Sequence, residues 1–367
     1  MFSIHDEKQI IELLEKNGHK KFRYTQIENA IYKNFISDFE TIETLPKDIR
    51  VLLSENCFYN SLRIHSEITS EDGQTTKFLF QTTDDKMIEA VIMRHQSGRN
   101  TLCVSCQAGC PMACSFCATG KLWLIRNLEA YEIVEQIMIA ATKLHTEDRK
   151  LRNIVYMGMG EPMLNYDNVA LSIHIASAQK KLDLSSRRIT ISTCGIIPWI
   201  LRLAEDFPQV SLAVSLHAPN DEARKRIMPV ENTYPIDMLM EALDQYTAKT
   251  NKRIFYEYIM IAWVTDRPEF AHELAALLEG KLAHVNFIPY NPGEGIMGRG
   301  FQPTSKIMIK KFQDTLDRAW VPSTVRHTMG DDIDAACGQL ALKEEGKSLA
   351  TEEGKSMKKL VEGNWQK

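Results

Sequence analysis

The stretch TLCVSCQAGCPMACSFCATG, residues 101–120, holds five of the eight cysteines in this chain of 367 residues. Cys110, Cys114 and Cys117 within it have the spacing C-x-x-x-C-x-x-C, and no other three of the five do. Closely spaced thiolates bind soft metals, and three of them are typical of a 4Fe-4S cluster that keeps one iron open for a further ligand. The stretch therefore predicts an iron–sulfur cluster.

Two other uses of these cysteines compete with the cluster. A zinc ribbon would use Cys103, Cys106, Cys114 and Cys117 as two C-x-x-C pairs, but the loop between the pairs is far shorter than the usual span of about 12–20 residues. Disulfide bonds are a second possibility, and they are unusual in a chain that carries no export signal. We rank the cluster above both alternatives.

Composition and charge place the chain among ordinary globular proteins, with 44% hydrophobic residues, 25% charged residues and a net charge of −4. The N-terminus lacks a cationic segment followed by an apolar run, and no apolar stretch is long enough to span a bilayer. We expect a cytoplasmic protein with no membrane partner. The acidic balance is a mild argument against a nucleic-acid partner, although a basic mouth can coexist with acidic helices elsewhere.

The hydrophobic pattern divides the chain into four parts. We predict a small helical domain at residues 1–58, a β extension at 59–98, an α/β domain at 99–342 and a polar, mobile tail without catalytic part at 343–367. Lys20, Lys21 and Arg23 in the first part indicate a solvated face or an RNA-contacting surface, and by themselves favour the solvated face. Glu89 interrupts an apolar strand of the extension, and the sequence slightly favours a solvent-facing side chain there.

The α/β domain alternates strands with helices, which predicts a parallel sheet with helical crossovers. The strand candidates are residues 101–106, 152–158, 187–193, 209–216, 253–261 and 283–290, followed by a last candidate at 323–328. Six such units are too few for a closed eight-fold barrel. We therefore predict an open, partial (β/α)6 barrel with a mouth large enough for a macromolecule.

Unusual polar residues follow several of these strands, where α/β barrels collect their chemistry. They are Gly160-Glu161, Ser192, Ser215-Leu216-His217 and Asn291. Each one alone fits an ordinary turn or a structural histidine, but four such motifs on one rim beside the cysteine loop favour a binding site. Cys337 follows the last strand candidate, so it is either a buried, inert cysteine or part of the barrel mouth, where Cys103 would face it.

Taken together, LCVSCQAGCPMACSFCATG, GMGEPMLN, RRITISTCGIIP, SLHAPN, HVNFIPYNP and GDDIDAACGQLA resemble the radical S-adenosylmethionine (SAM) RNA methyltransferases that act on adenine ring carbons. The resemblance covers roughly residues 22–342. It is close to the dual-specificity branch, which methylates C2 of an adenosine in the peptidyl transferase centre of 23S rRNA. That branch also methylates C2 of the adenosine 3′ of the anticodon in some tRNAs.

This resemblance implies roles for individual residues. Cys110, Cys114 and Cys117 would hold the 4Fe-4S cluster, and the SAM pocket would consist of Gly160, Glu161, Ser192, Ser215, Leu216, His217 and Asn291. Cys337 would carry the methyl group as S-methylcysteine, Glu89 would accept a proton, and Cys103 would release the product by attacking the Cys337 sulfur. Each turnover would use two equivalents of SAM and leave a disulfide that needs external reduction. A flavodoxin-like electron donor and a monomeric enzyme are expected.

Some residues depart from the family pattern or leave alternatives open. Cys106 stands where relatives usually have serine, and several stretches also resemble the branch that methylates C8 of the same rRNA adenosine and confers antibiotic resistance. Pro162, Leu164 and Asn165 favour the C2 branch. A zinc-dependent RNA-binding protein without catalysis is the alternative of another class. A radical activase acting on a protein is disfavoured, because it would need no methyl carrier such as Cys337.

Overall fold

The computed structural model describes residues 1–291, 300–336, 338–340, 343–344 and 347–348. Its N-terminal part contains β1 (Phe2–Ser3), α1 (Glu7–Lys16), α2 (Arg23–Tyr32), α3 (Lys47–Asn56) and β2 (Cys57–Phe58). Asp6 caps α1 by accepting a hydrogen bond from the Gln9 backbone N–H at 3.0 Å. The apolar faces of these helices bury Ile10, Leu14 and Ile27 in a cluster of their own, which extends to two helices of the α/β part.

The β extension forms an antiparallel meander that continues directly into the larger sheet. Its strands are β3 (Arg63–Thr69), β4 (Thr75–Gln81) and β5 (Met87–Arg94), and β5 pairs antiparallel with β6 (Asn100–Cys103). Glu89 on β5 is fully buried, so the solvent-facing alternative is wrong. Its carboxylate lies 3.5 Å from the buried ammonium of Lys77 on β4.

The α/β part has the predicted alternation. Its elements after β6 are β7 (Gln107–Ala108), β8 (Arg126–Asn127), α4 (Ala130–Thr146), β9 (Leu151–Tyr156), α5 (Tyr166–Ser177), β10 (Ile189–Thr193), α6 (Ile197–Asp206), β11 (Ser211–Ser215), α7 (Asp221–Ile227), α8 (Ile236–Thr250), β12 (Ile254–Met260), α9 (Pro268–Leu278), β13 (Ala283–Pro289), α10 (Lys306–Arg318) and β14 (Ser323–Val325). The crossover helices bury their apolar faces, as the spacing in α4 predicts: Ile133, Val134 and Ile137 are all inaccessible to solvent.

The parallel sheet is open, as predicted. β6, β9, β10, β11, β12, β13 and β14 are parallel neighbours in chain order. With the meander they make a ten-stranded sheet whose edges, among the described residues, are β14 and β3. Because these strands are parallel, their carboxyl ends form one rim.

Two short strands lie in the part of the chain that the sequence predicts to be a polar tail. β15 (Lys343–Glu344) and β16 (Lys347–Ser348) pair antiparallel, which the composition did not indicate. The tail predicted beyond them, residues 349–367, lies outside the described residues. In the described part of the chain, no helix is long and apolar enough to cross a membrane.

Candidate active site

A cavity opens at the carboxyl ends of the parallel strands. Ten of the predicted site residues line it: Cys103, Cys110, Cys114, Cys117, Gly160, Glu161, Ser192, Ser215, His217 and Asn291. Residues far apart in the sequence therefore meet in one place, as a common rim requires. Leu216 and Glu89 do not line the cavity, and Cys337 lies outside the described residues.

The cysteine loop between β7 and β8 is fixed by backbone contacts to distant segments. The Ser115 N–H donates to the Ile227 carbonyl at 2.9 Å, and the Ala118 N–H donates to the Gly338 carbonyl at 2.8 Å. Burial raises the pKa of the Cys110 thiol well above its usual range. A buried thiol of this kind becomes a thiolate when a metal cation coordinates it, so the loop suits a metal centre better than a free anionic nucleophile.

The thiols of this loop fit an iron–sulfur cluster better than a single metal ion. Cys110, Cys114 and Cys117 all face the cavity. Within the described ranges, no three histidine, cysteine or acidic side chains are placed to hold one metal ion. A cluster binds each thiolate through a different iron, so its ligands need not converge on one point.

Cys106 makes the zinc-ribbon arrangement incompatible with the structure. Its side chain is buried away from the cavity, and its thiol donates to the Met159 carbonyl at 3.6 Å. Burial raises the pKa of this thiol well above its usual range. Cys106 is therefore a structural cysteine. No disulfide joins two described cysteines, so the structure gives no support for the predicted one, whose second member is Cys337.

Cys194 is a cavity thiol that the sequence reasoning missed. Its sulfur lies 3.9 Å from the sulfur of Cys114, and its backbone N–H donates to Glu161 Oε2 at 2.7 Å. The residue follows β10 in the same motif that supplied Ser192. A cysteine at the carboxyl end of a rim strand is the sequence signal for this thiol.

Gly160 and Glu161 form a rigid corner of the cavity. Gly160 has a φ of +108°, and a Cβ added to it would lie 2.6 Å from the Cβ of Gln107, so only glycine fits. The Glu161 carboxylate accepts the Met163 N–H at 3.0 Å in addition to that of Cys194. Burial raises the pKa of Glu161, and an ammonium group bound in the cavity would favour its ionised form.

Arg224 on α7 organises the ends of β10 and β11, although its setting in DEARKRI resembles a solvated face. The guanidinium is fully buried, pairs with Glu231, and donates to the carbonyls of Cys194 at 2.6 Å and Leu216 at 3.2 Å. The Leu216 side chain is buried in the core, and its N–H donates to the Glu257 carbonyl at 3.1 Å. Leu216 therefore shapes the rim without facing the cavity.

His217 is held as a neutral imidazole. Burial, followed by the nearby Arg224 cation, lowers its pKa to about 3. Its Nδ1 accepts the Ile259 N–H at 3.0 Å, which places the remaining proton on Nε2. The imidazole packs edge-on against Phe116 of the cysteine loop, with the ring centres 4.8 Å apart. His217 thus joins β11 and β12 to that loop.

A second polar group lines the cavity near β12 and β14. Glu257 accepts a hydrogen bond from Asn286 Nδ2 at 2.9 Å and lies 3.6 Å from the Arg326 guanidinium. Burial is the main cause that raises the pKa of Glu257, and Arg326 opposes it. Asn291 donates to the Thr328 hydroxyl at 3.5 Å on the same side.

Glu89 lies on the face of β5 that the cavity uses. Val91 and Met93, at alternating positions of the same strand, line the cavity directly. The Lys77 ammonium beside Glu89 donates to the Asp334 carbonyl at 3.4 Å and so links this pair to the segment before Cys337. Ala336 and Gly338, the neighbours of Cys337 in the chain, line the cavity.

Comparisons with known proteins agree with this geometry. Residues 104–282 match the model of the radical SAM superfamily. A probable dual-specificity RNA methyltransferase RlmN 2 of Protochlamydia amoebophila is 41% identical over 340 residues, which are 92% of this chain and 94% of the relative. A probable dual-specificity RNA methyltransferase RlmN of Thermus thermophilus is 43% identical over 344 residues, 94% of this chain and 96% of the relative.

A solved structure shares the whole fold. The crystal structure of a radical SAM methyltransferase from Sphaerobacter thermophilus is 41% identical and superposes with a TM-score of 0.90. The match covers 94% of this chain and 100% of that one. The similarity therefore includes the N-terminal helices and the meander as well as the parallel sheet.

Proposed function

This chain belongs to the RlmN family of dual-specificity RNA methyltransferases in the radical SAM superfamily, and on that basis we propose which atoms it methylates. The targets are C2 of an adenosine in the peptidyl transferase centre of 23S rRNA and C2 of the adenosine 3′ of the anticodon in tRNA. The observation that carries the proposal is the meeting of the cysteine loop and the predicted SAM-binding rim residues in one cavity. Pro162, Leu164 and Asn165 favour C2 over C8.

A 4Fe-4S cluster and SAM, at two equivalents per turnover, are the cofactors of this family. In our proposal Cys110, Cys114 and Cys117 bind the cluster. SAM lies against Gly160, Glu161, Ser192, Ser215, His217 and Asn291, which line the same cavity. When bound, the two cofactors supply a 5′-deoxyadenosyl radical. That chemistry is needed because adenine C2 is electrophilic and carries no lone pair with which to attack a methylsulfonium.

The protein contributes thiols and a carboxylate to the proposed reaction. Cys337, which lies outside the described residues, carries the methyl group that is transferred to C2. Cys103 lines the cavity at the end of β6 and attacks the Cys337 sulfur to release the RNA. Glu89 accepts the proton lost from C2, and its carboxylate lies 3.5 Å from the buried Lys77 ammonium.

The remaining partners follow from this reaction. An external reductant of the flavodoxin type supplies electrons, and the disulfide that forms between Cys103 and Cys337 needs a separate external two-electron reduction. The rRNA and tRNA substrates present unpaired adenosines at the cavity mouth. The monomeric state and the cytoplasmic location stay predictions from the sequence.

The two lone thiols provide the test of this proposal. The Cys103→Ala protein expressed in cells should accept the methyl group on Cys337, bond to RNA and then stall. Denaturing gels should show RNA-bound protein that nuclease treatment removes. Cys106→Ala is the matched control. Cys106 is buried away from the cavity, and Cys103 can still release the RNA in this variant, so no adduct should accumulate. If the Cys103→Ala protein carries no RNA, or if Cys337→Ala carries as much, the assigned roles are wrong.

A further inference from the structure

Trp263 projects from the rim of the sheet into solvent. It lies four residues beyond Ile259, in the loop that follows β12, and 89% of its surface is exposed. Its φ of +66° is uncommon for a bulky residue. An exposed indole on such a backbone adds nothing to the core, so its position calls for another explanation.

The loop around Trp263 is rigid. The backbone N–H of Trp263 donates to Asp266 Oδ1 at 2.6 Å, and the Thr265 hydroxyl accepts a hydrogen bond from the backbone N–H of Ile261 at 2.8 Å. The buried Tyr258 hydroxyl donates to the Thr265 carbonyl at 2.9 Å. These bonds hold the backbone that carries the indole, so a partner that binds Trp263 loses little loop entropy.

Aromatic side chains and arginines share a surface cleft with Trp263. The cleft is lined by Trp263, Phe270, Phe301, Arg226 and Arg267, together with Glu222 as its acidic member. Arg226 pairs with Glu222 one helical turn away, and both side chains are largely exposed, so this pair is weak and exchangeable. The Arg267 guanidinium lies 5.3 Å from the Phe270 ring centre. The exposed Trp263 indole therefore lies in the same cleft as two arginine cations.

This cleft adjoins the active-site cavity. Ile227 lines the cleft, and its carbonyl accepts the Ser115 N–H of the cysteine loop at 2.9 Å. Ile259, on the strand that leads to Trp263, lines the active-site cavity. A polynucleotide that enters the cavity can therefore extend over the cleft without leaving the rim.

We propose that Trp263 stacks on an unpaired nucleobase of the RNA substrate, close to the adenosine that enters the cavity, and that Arg226 and Arg267 contact the adjacent phosphates. This inference rests on the RNA methyltransferase function proposed above. Exposed aromatic rings next to cations are the usual means by which proteins hold single-stranded RNA, because every base presents a flat face. The arginines position the backbone, and the indole holds the splayed base.

Trp320 provides an internal control. It is 92% exposed and has a φ of +58°, much like Trp263. It lies between α10 and β14, however, at the amino ends of the parallel strands and opposite the cavity. The positive φ of Trp320 is explained by the termination of α10, where the Val321 N–H donates to the Leu316 carbonyl at 2.9 Å.

The experiment measures binding of a fluorescein-labelled RNA hairpin with unpaired loop adenosines by fluorescence anisotropy under anaerobic conditions. Trp263→Ala should weaken binding by about 5- to 100-fold, the range for loss of one stacked base. Trp263→Tyr should keep most of the affinity, and Trp320→Ala should bind like the wild type. Arg226→Gln and Arg267→Gln should each lower the salt-dependence slope by about 0.7.

Methylation kinetics separate this inference from the function on which it rests. Trp263→Ala should raise the KM for RNA and keep kcat, since the indole does not touch the reacting atoms. Unchanged RNA binding by Trp263→Ala, or an equal loss of affinity in Trp320→Ala, would overturn the stacking role of Trp263. Either result would leave the methyltransferase proposal intact. A wild-type protein that neither binds nor methylates RNA would overturn both.

Discussion

Replacing Arg224 by methionine should destabilise the protein strongly and pH-dependently. Methionine keeps an unbranched apolar side chain in place of the arginine stem but removes the cation that Glu231 faces and the donors whose hydrogen bonds the Cys194 and Leu216 carbonyls accept. Both partners of the ion pair are buried. The change therefore leaves a carboxylate and two carbonyls without their partner, in a place that water does not reach.

The expected loss is about 3–5 kcal/mol of unfolding free energy, the usual cost of removing one partner from a buried ion pair. Burial, followed by the neighbouring Asp221, raises the pKa of Glu231 to about 7, and Arg224 opposes this rise. Without the cation the folded-state pKa rises further above that of the unfolded chain. Because a raised carboxyl pKa stabilises the folded state only as pH falls, the loss should be larger at pH 8.5 than at pH 6.

Urea unfolding followed by circular dichroism at both pH values measures this loss. Arg226→Met on the same helix is the matched control, because the Arg226–Glu222 pair is exposed and should contribute less than about 0.5 kcal/mol. A loss below about 1 kcal/mol for Arg224→Met, or one equal to that of the control, would refute the organising role of Arg224. So would a larger loss at pH 6 than at pH 8.5.

Three further predictions concern other parts of the molecule. Alanine at any of the three predicted cluster cysteines should abolish iron loading during anaerobic reconstitution, whereas Cys106→Ala should retain iron, and loss of iron from Cys106→Ala would contradict the ligand assignment. The triple alanine variant of Lys20, Lys21 and Arg23 should lower the salt slope of RNA binding by about 0.7–0.9 for each lost phosphate contact, and an unchanged slope would return this segment to a solvated face. Burial, with Lys181 as a second cause, lowers the pKa of His5 to about 3, so this group destabilises the fold as pH falls below 6.5. The stability advantage of the wild type over His5→Gln should narrow by about 1.4 kcal/mol between pH 7.5 and 5.5, and a constant difference would show that His5 does not titrate as argued.

The sequence predicted the fold well where local patterns determine it. The alternation of apolar strands with amphipathic helices predicted the parallel sheet, and each strand candidate from 101–106 to 323–328 contains or overlaps an observed strand. The rim residues could also be predicted from the sequence, because the carboxyl ends of parallel strands share one edge whatever the side chains are. These inferences need only the order of elements along the chain.

The sequence does not predict which polar side chains become buried through contacts with distant segments of the chain. Glu89 looks solvent-facing in MIEAVIM, yet it is buried beside Lys77, whose ammonium contacts Asp334 from the other end of the chain. Arg224 is surrounded by charged neighbours in sequence, and only the packing of α7 against the ends of β10 and β11 shows its role. Cys106 and Cys194 both lie at the carboxyl end of a predicted strand. The Cys106 sulfur, however, faces the Met159 carbonyl, whereas the Cys194 sulfur faces Cys114.

Nucleoside mass spectrometry of RNA methylated in vitro tests the central claim most directly. Purified protein with a reconstituted cluster is incubated anaerobically with SAM, a reductant and a 23S rRNA fragment, and Cys114→Ala serves as the control. We expect 2-methyladenosine with the wild type and none with the variant. Formation of 8-methyladenosine would contradict the proposed position of methylation. A cluster-loaded wild type that leaves the RNA unmodified would contradict the proposed function itself.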